Sequence, residues 1–282
     1  MHIQVIGETR ENNLPVKNGD KNLPAHLKIQ IYEIQTPAEG EKMLKLGVDH
    51  LGSVILSRDN WRITEILDTI RLTEGLAAKS SLIPLYSNPD IIYRTVDYYR
   101  PDILHCCESL TDSGGIRRDI GNFIKFHEEF KKRFPEIEIM RSLPIGQKAK
   151  AGKTPTLELG RLFEPVSDFF LTDTLLTGDG DDPLPDQPEN GFVGVTGKIC
   201  DWETAKFLVE KSNIPVILAG GISAENAYEG VLAVQPAGVD SCTNTNLTDP
   251  GGKAIRFRKD PEKVRLLIEA VKRAETDIKP SR

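Results

Sequence analysis

Eight times between residues 27 and 274, a short apolar run gives way to a segment with helical spacing, and few folds accommodate that alternation. The runs read "LKIQIY", "HLGSVIL", "SLIPLYS", "DILHCC", "EIEIMRSLPI", "DFFLTDT", "PVILAGG" and "GVDSCTN". Each precedes an amphipathic stretch, from "TPAEGEKMLKLG" after the first to "DPEKVRLLIEAVKRA" after the last. Eight strand–helix units in about 250 residues predict a single-domain (β/α)8 TIM barrel of the α/β class, spanning residues 27–276. A doubly wound open sheet is the competing arrangement, but it has its glycine-rich turn after the first strand. Here the glycines follow the seventh and eighth. Residues 1–26, dotted with Asn, Gly and Pro, read as an N-terminal extension or flap, and 277–282 as a C-terminal tail.

The stretch "PVILAGGISAENA" (215–227) narrows the chemistry. It reads as a buried strand stopping at Gly220-Gly221, then a helix with Ser223 as N-cap and Asn226 near its third position. Glycines let backbone approach a ligand, and free N–H groups at a helix start attract anions. Barrels commonly hold phosphate on the loops after the seventh and eighth strands. The expected phosphate contacts are therefore Gly220, Gly221, Ser241, Cys242, Thr243 and Asn244.

Other functional side chains are expected at the C-terminal strand ends. The first strand offers Lys28 and Gln30, and the second loop Arg58 and Arg62. The fourth strand ends in His105-Cys106-Cys107-Glu108, the fifth carries Arg141, the sixth ends in Asp173 and the eighth has Asp240. Lys28 and Gln30 share one parity, so they either reach a ligand or satisfy each other in the barrel interior. His105 is open to two uses, as a hydrogen-bonded barrel histidine or a proton carrier. Asp173 emerges from apolar "FFLTD", where desolvation raises a carboxyl pKa and suits it to acid work. Cys106 and Cys107 are adjacent on a strand and point to opposite faces, so no metal site is expected.

Composition bounds the partners. A hydrophobic fraction of 39% with 28% charged residues supports a buried core, and a net charge of −6 argues against general nucleic-acid or anionic-membrane binding. No apolar run approaches the roughly 18–20 residues of a membrane span. Four cysteines without a CxxC spacing read as reduced thiols in a cytoplasmic protein. A small phosphorylated sugar is the expected partner, with no cofactor, for a monomer or homodimer.

Several segments in order resemble the phosphoribosylanthranilate isomerase family of tryptophan biosynthesis: "TPAEGEKMLKLGVDHLGSV", "RPDILHCCE", "FFLTDT", "GVTGKICDW", "PVILAGGISAENAYEGVLAVQPAGVDS" and "KDPEKVRLLIEAV". The resemblance implies an Amadori rearrangement of an N-ribosyl phosphate through an enolamine. It makes Asp173 the acid that opens the sugar ring and places phosphate after the seventh and eighth strands. The family has a cysteine followed by glycine on the first strand, the cysteine acting as general base. Here those positions read as Gln30 and Ile31, and a neutral amide takes up no proton. Cys242, His105 and Glu108 are the alternative bases. The family's substrate-holding arginine after the second strand reads as Trp61, flanked by Arg58 and Arg62, with Arg141 and Asp240 as further substrate contacts. The loop over 175–192 is longer than expected and rich in Asp, which suits a lid or a solvated loop. A paralogue acting on another phosphosugar, and a non-catalytic phosphosugar-binding barrel, are the competing functions.

Overall fold

The computed structural model describes residues 26–113, 115–148, 151–176 and 191–278. The expected extension (1–26, apart from His26) and most of the acidic loop, including Asp179, Asp181, Asp182, Asp186 and Glu189, lie outside the described residues. Of the expected tail, Asp277 and Ile278 belong to the last helix and the rest lies outside.

The strand order explains the alternation read above. Each apolar run supplies one parallel strand: β1 (Lys28–Ile31), β2 (His50–Ile55), β3 (Lys79–Pro84) and β4 (Ile103–Cys106). A two-residue pair, β5 (Thr111–Asp112) and β6 (Gly115–Ile116), interrupts the series. It resumes with β7 (Glu138–Gly146), β8 (Phe169–Leu175), β9 (Val216–Leu218) and β10 (Gly238–Ser241). The eight long-range strands close in the order β1-β10-β9-β8-β7-β4-β3-β2, all pairs parallel. The expected TIM barrel is thus the fold.

Helices α1 (Pro37–Leu46), α2 (Thr64–Arg71), α3 (Pro89–Tyr99), α4 (Ile120–Arg133), α5 (Thr156–Phe163), α6 (Trp202–Lys211), α7 (Ala227–Val234) and α8 (Pro261–Ile278) wrap the outside. Their ends follow local chemistry. Asn88 caps α3 by accepting from Ile91 N–H at 3.1 Å, and Asp201 caps α6 by accepting from Thr204 N–H at 2.9 Å. Gly47 ends α1 in the left-handed conformation, φ 95°.

Strand parity sorts the core into two layers. Val54, Ile83, Met140, Leu171 and Ile217 fill the interior, while Ile29, Ile31, Leu104, Ile139 and Phe170 pack against helices. Cys106 and Cys107 fall into different layers, as their adjacency on a strand requires.

Two details differ from the sequence expectation. Residues 223–226 form a turn, so α7 begins at Ala227 with Asn226 at its cap position, not with Ser223. Asn226 reaches back, accepting from Ser223 N–H at 2.9 Å and donating to Gly221 O at 2.9 Å, which stabilises the turn instead of a helix start. The second is an antiparallel hairpin between the last barrel strand and α8, made of β11 (Asn246–Thr248) and β12 (Ala254–Lys259).

Candidate functional site

A cavity of about 780 Å³, open mouth included, lies at the C-terminal ends of the barrel strands. Asp173 from β8, Asp240 from β10, His105 and Cys107 from the end of β4, and Tyr32 and Glu33 from the end of β1 face it. Gly220-Gly221 and Cys242 to Asn244 form its far wall, and Arg256 enters from β12.

The interior rows of the barrel set these positions. In the lower row Gln30 pairs in register with His50 on one side and Asp240 on the other. Its Nε2 donates to Asp240 Oδ1 at 3.1 Å, and its Oε1 lies 3.0 Å from His50 Nδ1. An amide oxygen only accepts, so His50 Nδ1 holds the proton in that contact. Burial lowers the His50 pKa to about 4, consistent with a neutral ring. In the next row Tyr32 Oη is 2.6 Å from both Ser81 Oγ and His105 Nδ1, and His105 Nε2 is 2.8 Å from Ser142 Oγ. Both His105 nitrogens are therefore engaged. Burial, assisted by the charge of Arg141, lowers its pKa to about 3. Of the two uses left open for His105, the geometry is that of a hydrogen-bonded barrel histidine.

Asp173 and Asp240 are the two carboxyls that face the cavity without a salt-bridged cation among the described residues. Burial pushes Asp173 up to about 8, reinforced by the charge of Asp240 and opposed by Thr174 N–H. Burial pushes Asp240 up to about 7, opposed by the Gln30 hydrogen bond and by Lys259. Two like charges share one low-dielectric mouth, so near neutral pH a single proton is retained there. Gly194 packs against this acid: a Cβ at that position would lie 2.1 Å from Asp173 Oδ2. Val195 beside it has φ 60°, a left-handed conformation that β-branched residues avoid. The Gly194-Val195 segment is held in a strained shape against the carboxyl.

The expected phosphate residues come together. Gly220, Gly221, Ser241, Cys242, Thr243 and Asn244 all line the cavity, and Asn244 Nδ2 donates to Gly221 O at 2.9 Å, tying the two loops. Ser241 donates its hydroxyl to Ile222 O at 2.7 Å, so its side chain is spent on the fold. A Cβ on Gly221 would lie 2.5 Å from the Lys198 carbonyl carbon, and its φ is 66°. That glycine lets the "GVTGK" loop pass against Gly220-Gly221.

Gln30 lies one row below the cavity, and four further expected site residues are not brought to it either. Lys28 sits at the opposite, N-terminal end of β1, 3.7 Å from Asp49. Arg58 is exposed and lies 3.7 Å from Asp59. Arg62 stacks on Trp61, 4.6 Å from the ring centroid, on the outer surface. Arg141 has the helix-facing parity, because its neighbour Ser142 is the one that points inward. It is fully buried, donating to Glu108 Oε2 at 2.6 Å and to Glu108 O, with its guanidinium over Phe163. It anchors the loop after β4, against which Gly191–Val193 pair. That pairing fixes Glu108 too, which is 6% exposed and outside the cavity.

No family model matches the chain. It is 29% identical over 168 residues to the N-(5'-phosphoribosyl)anthranilate isomerase of Haloferax volcanii, an alignment spanning 66% of that relative, just under two thirds. It is 34% identical over 221 residues to N-(5'-phosphoribosyl)anthranilate isomerase 2 of Methanosarcina mazei, covering 74% of this chain and 85% of that one. The chain belongs to the phosphoribosylanthranilate isomerase family. The solved isomerase of Pyrococcus furiosus has the same fold, with a TM-score of 0.59 at 20% identity over 88% of this chain and 100% of that one.

On the first strand the residue that reaches the cavity differs from the sequence expectation. The family's cysteine is followed by glycine, and in this chain the residue with a glycine-like backbone is Glu33, at φ 63°. The residue before it, Tyr32, faces the cavity, whereas Gln30 lies one row deeper and does not line it. Tyr32 and Glu33 therefore stand at the cavity mouth, where Gln30 and Ile31 were expected. Neither pair contains a cysteine.

Arg256 is a charged cavity residue that sequence reasoning missed. Its Nε donates to Glu33 Oε1 at 2.7 Å, while Phe257 N–H and Asn246 Nδ2 donate to Glu33 Oε2 at 3.2 and 3.1 Å. The available signal was "TDPGGKAIRFRK", a Gly-Gly turn followed by alternating apolar and basic residues, which is hairpin chemistry.

Proposed function

We propose that this chain isomerises N-(5'-phosphoribosyl)anthranilate, an aldose-to-ketose rearrangement of an N-ribosyl phosphate in tryptophan biosynthesis. One observation carries the reading: Asp173, with its pKa raised to about 8, faces the same cavity as the Gly220-Gly221 and Cys242–Asn244 loops. A protonated carboxyl at neutral pH is what ring opening requires. Asp173 donates its proton to the furanose ring oxygen as the C1–O bond breaks, and the nitrogen lone pair forms the iminium. The backbone of the two loops holds the phosphate at the other end. Arg256 faces the cavity from β12 and supplies positive charge for the anionic substrate.

We place the protein in the cytoplasm, where Cys106, Cys107, Cys200 and Cys242 remain free thiols. No helix of the described residues is long and apolar enough to cross a membrane. We assign no metal or cofactor to the reaction, and the working unit is a monomer or homodimer.

The test follows the fluorescence of freshly generated phosphoribosylanthranilate. The wild type consumes it, and Asp173→Asn slows consumption by roughly 10²–10⁴-fold, the usual contribution of a positioned general acid. A wild type that leaves the fluorescence unchanged rules the reading out.

A further inference from the structure

Ring opening leaves a second task, removal of the proton from C2, and residues 27–33 on and after the first strand hold no cysteine to perform it. We infer that Asp240 is the general base for this proton and that Gln30 is its positioning residue, an assignment that rests on the isomerase reading above.

The geometry of the cavity carries the choice. Tyr32 has its hydroxyl held between Ser81 and His105, each at 2.6 Å, and burial pushes its phenol far above the ordinary range. His105 has both nitrogens engaged. The thiols of Cys107 and Cys242 are pushed up by burial, which leaves little thiolate. Glu33 is bound by Arg256 and Asn246. Asp240 remains: a carboxyl on the cavity wall, oriented by an amide N–H 3.1 Å from its Oδ1. That amide is oriented in turn by His50, completing a row across β2, β1 and β10.

The charges around Asp240 fit the role. Its electrostatic neighbours are Asp173 on β8, Tyr32 at the end of β1, Cys242 in its own loop and Lys259 on the hairpin. Asp173 keeps the shared proton as the acid, while Lys259 and Gln30 favour the ionised form of Asp240. Two carboxyls with separated roles then serve one reaction.

The steps balance without an added reactant. Asp173 gives its proton to the ring oxygen, and the C1–O bond breaks to leave the C1=N⁺ iminium. Asp240 removes the C2 proton. The C2–H electron pair becomes the C1=C2 bond, and the iminium π pair returns to nitrogen, giving the enolamine. The enol O–H proton goes to the Asp173 carboxylate as C2=O forms. C1 takes its proton from the Asp240 carboxyl, which restores both groups.

The experiment measures kcat and KM for phosphoribosylanthranilate across pH with wild type, Asp240→Asn, Asp240→Glu and Gln30→Met. Asp240→Asn should lose kcat by roughly 10³-fold with KM within a few-fold, and Asp240→Glu should recover part of it. Gln30→Met deletes a hydrogen bond to the ionised carboxylate, so the acid limb of kcat should move to higher pH. This readout decides the matter should Asp240→Asn fail to fold. Turnover by Asp240→Asn within tenfold of wild type, or an unmoved limb in Gln30→Met, overturns the base assignment alone. A wild type inactive at every pH overturns the isomerase reading and the base assignment together.

Discussion

Glu33 shows how much one backbone angle reveals. The run "LKIQIY" offers a β-branched or apolar residue at every second place, so a two-residue slip preserves which side chains face inward. Parity therefore could not distinguish Gln30 from Tyr32 as the mouth residue, and the positive φ at Glu33 does. A non-glycine residue there costs about 1–2 kcal/mol, offset by the bonds its carboxylate receives. Burial pushes the Glu33 carboxyl up, but Lys259 and Arg256 outweigh it and hold the pKa below its ordinary value. A depressed folded pKa adds stability above the unfolded value and loses it as pH falls through the folded one. Glu33→Gln should therefore destabilise the protein at neutral pH and flatten its acid unfolding curve, as read by thermal melts at several pH values. Asp173 has the opposite sign. Its raised pKa gives stability that is present below about pH 4 and lost as pH rises through about 8. Asp173→Asn should melt higher than the wild type above about pH 8 while losing activity. A variant that melts lower there would contradict the assigned burial cost.

The barrel strands and helices were legible because each unit repeats the same contrast between a β-branched run and a helical stripe. The two hairpins were not. The β5–β6 pair spans only two residues a side, too short for any periodicity, and β11–β12 lay in what reads as a connecting loop. Missing the second hairpin hid Arg256. Arg256→Ala should raise KM for the phosphosugar by roughly tenfold, the effect of losing one charge-assisted contact, with a smaller change in kcat. An unchanged KM would remove Arg256 from substrate binding. Arg141 teaches a related lesson: parity along β7 points it at the helices once Ser142 is known to face His105. With Glu108 it forms a buried ion pair that fastens the loop after β4. Arg141→Ala leaves that carboxylate buried and unpaired and should cost about 3–5 kcal/mol in urea unfolding. A loss under about 1 kcal/mol would mean the pair contributes little.

At the scale of the whole molecule, closure of eight parallel strands gathers residues from distant parts of the chain at one rim. Asp173 and Asp240, 67 positions apart, face one cavity because β8 and β10 flank β9 in the barrel. The meeting of Gly220-Gly221 with Cys242–Asn244 was readable from sequence, since loops after adjacent barrel strands share one rim. The pairing of the two carboxyls was not readable, because it depends on burial, on the Gln30 hydrogen bond and on the charge of Lys259, all set only in the folded state. Gln30 and Lys259 favour the ionised form of Asp240, and the charge of Asp240 favours the protonated form of Asp173. The most direct measurement is the pH dependence of kcat/KM for phosphoribosylanthranilate with the wild-type protein, from about pH 5 to about pH 10. Turnover that peaks between about 7 and 8 and falls on both sides is the predicted result, its two limbs belonging to the coupled pair. No turnover at any pH, or a rate flat through that range, would contradict it.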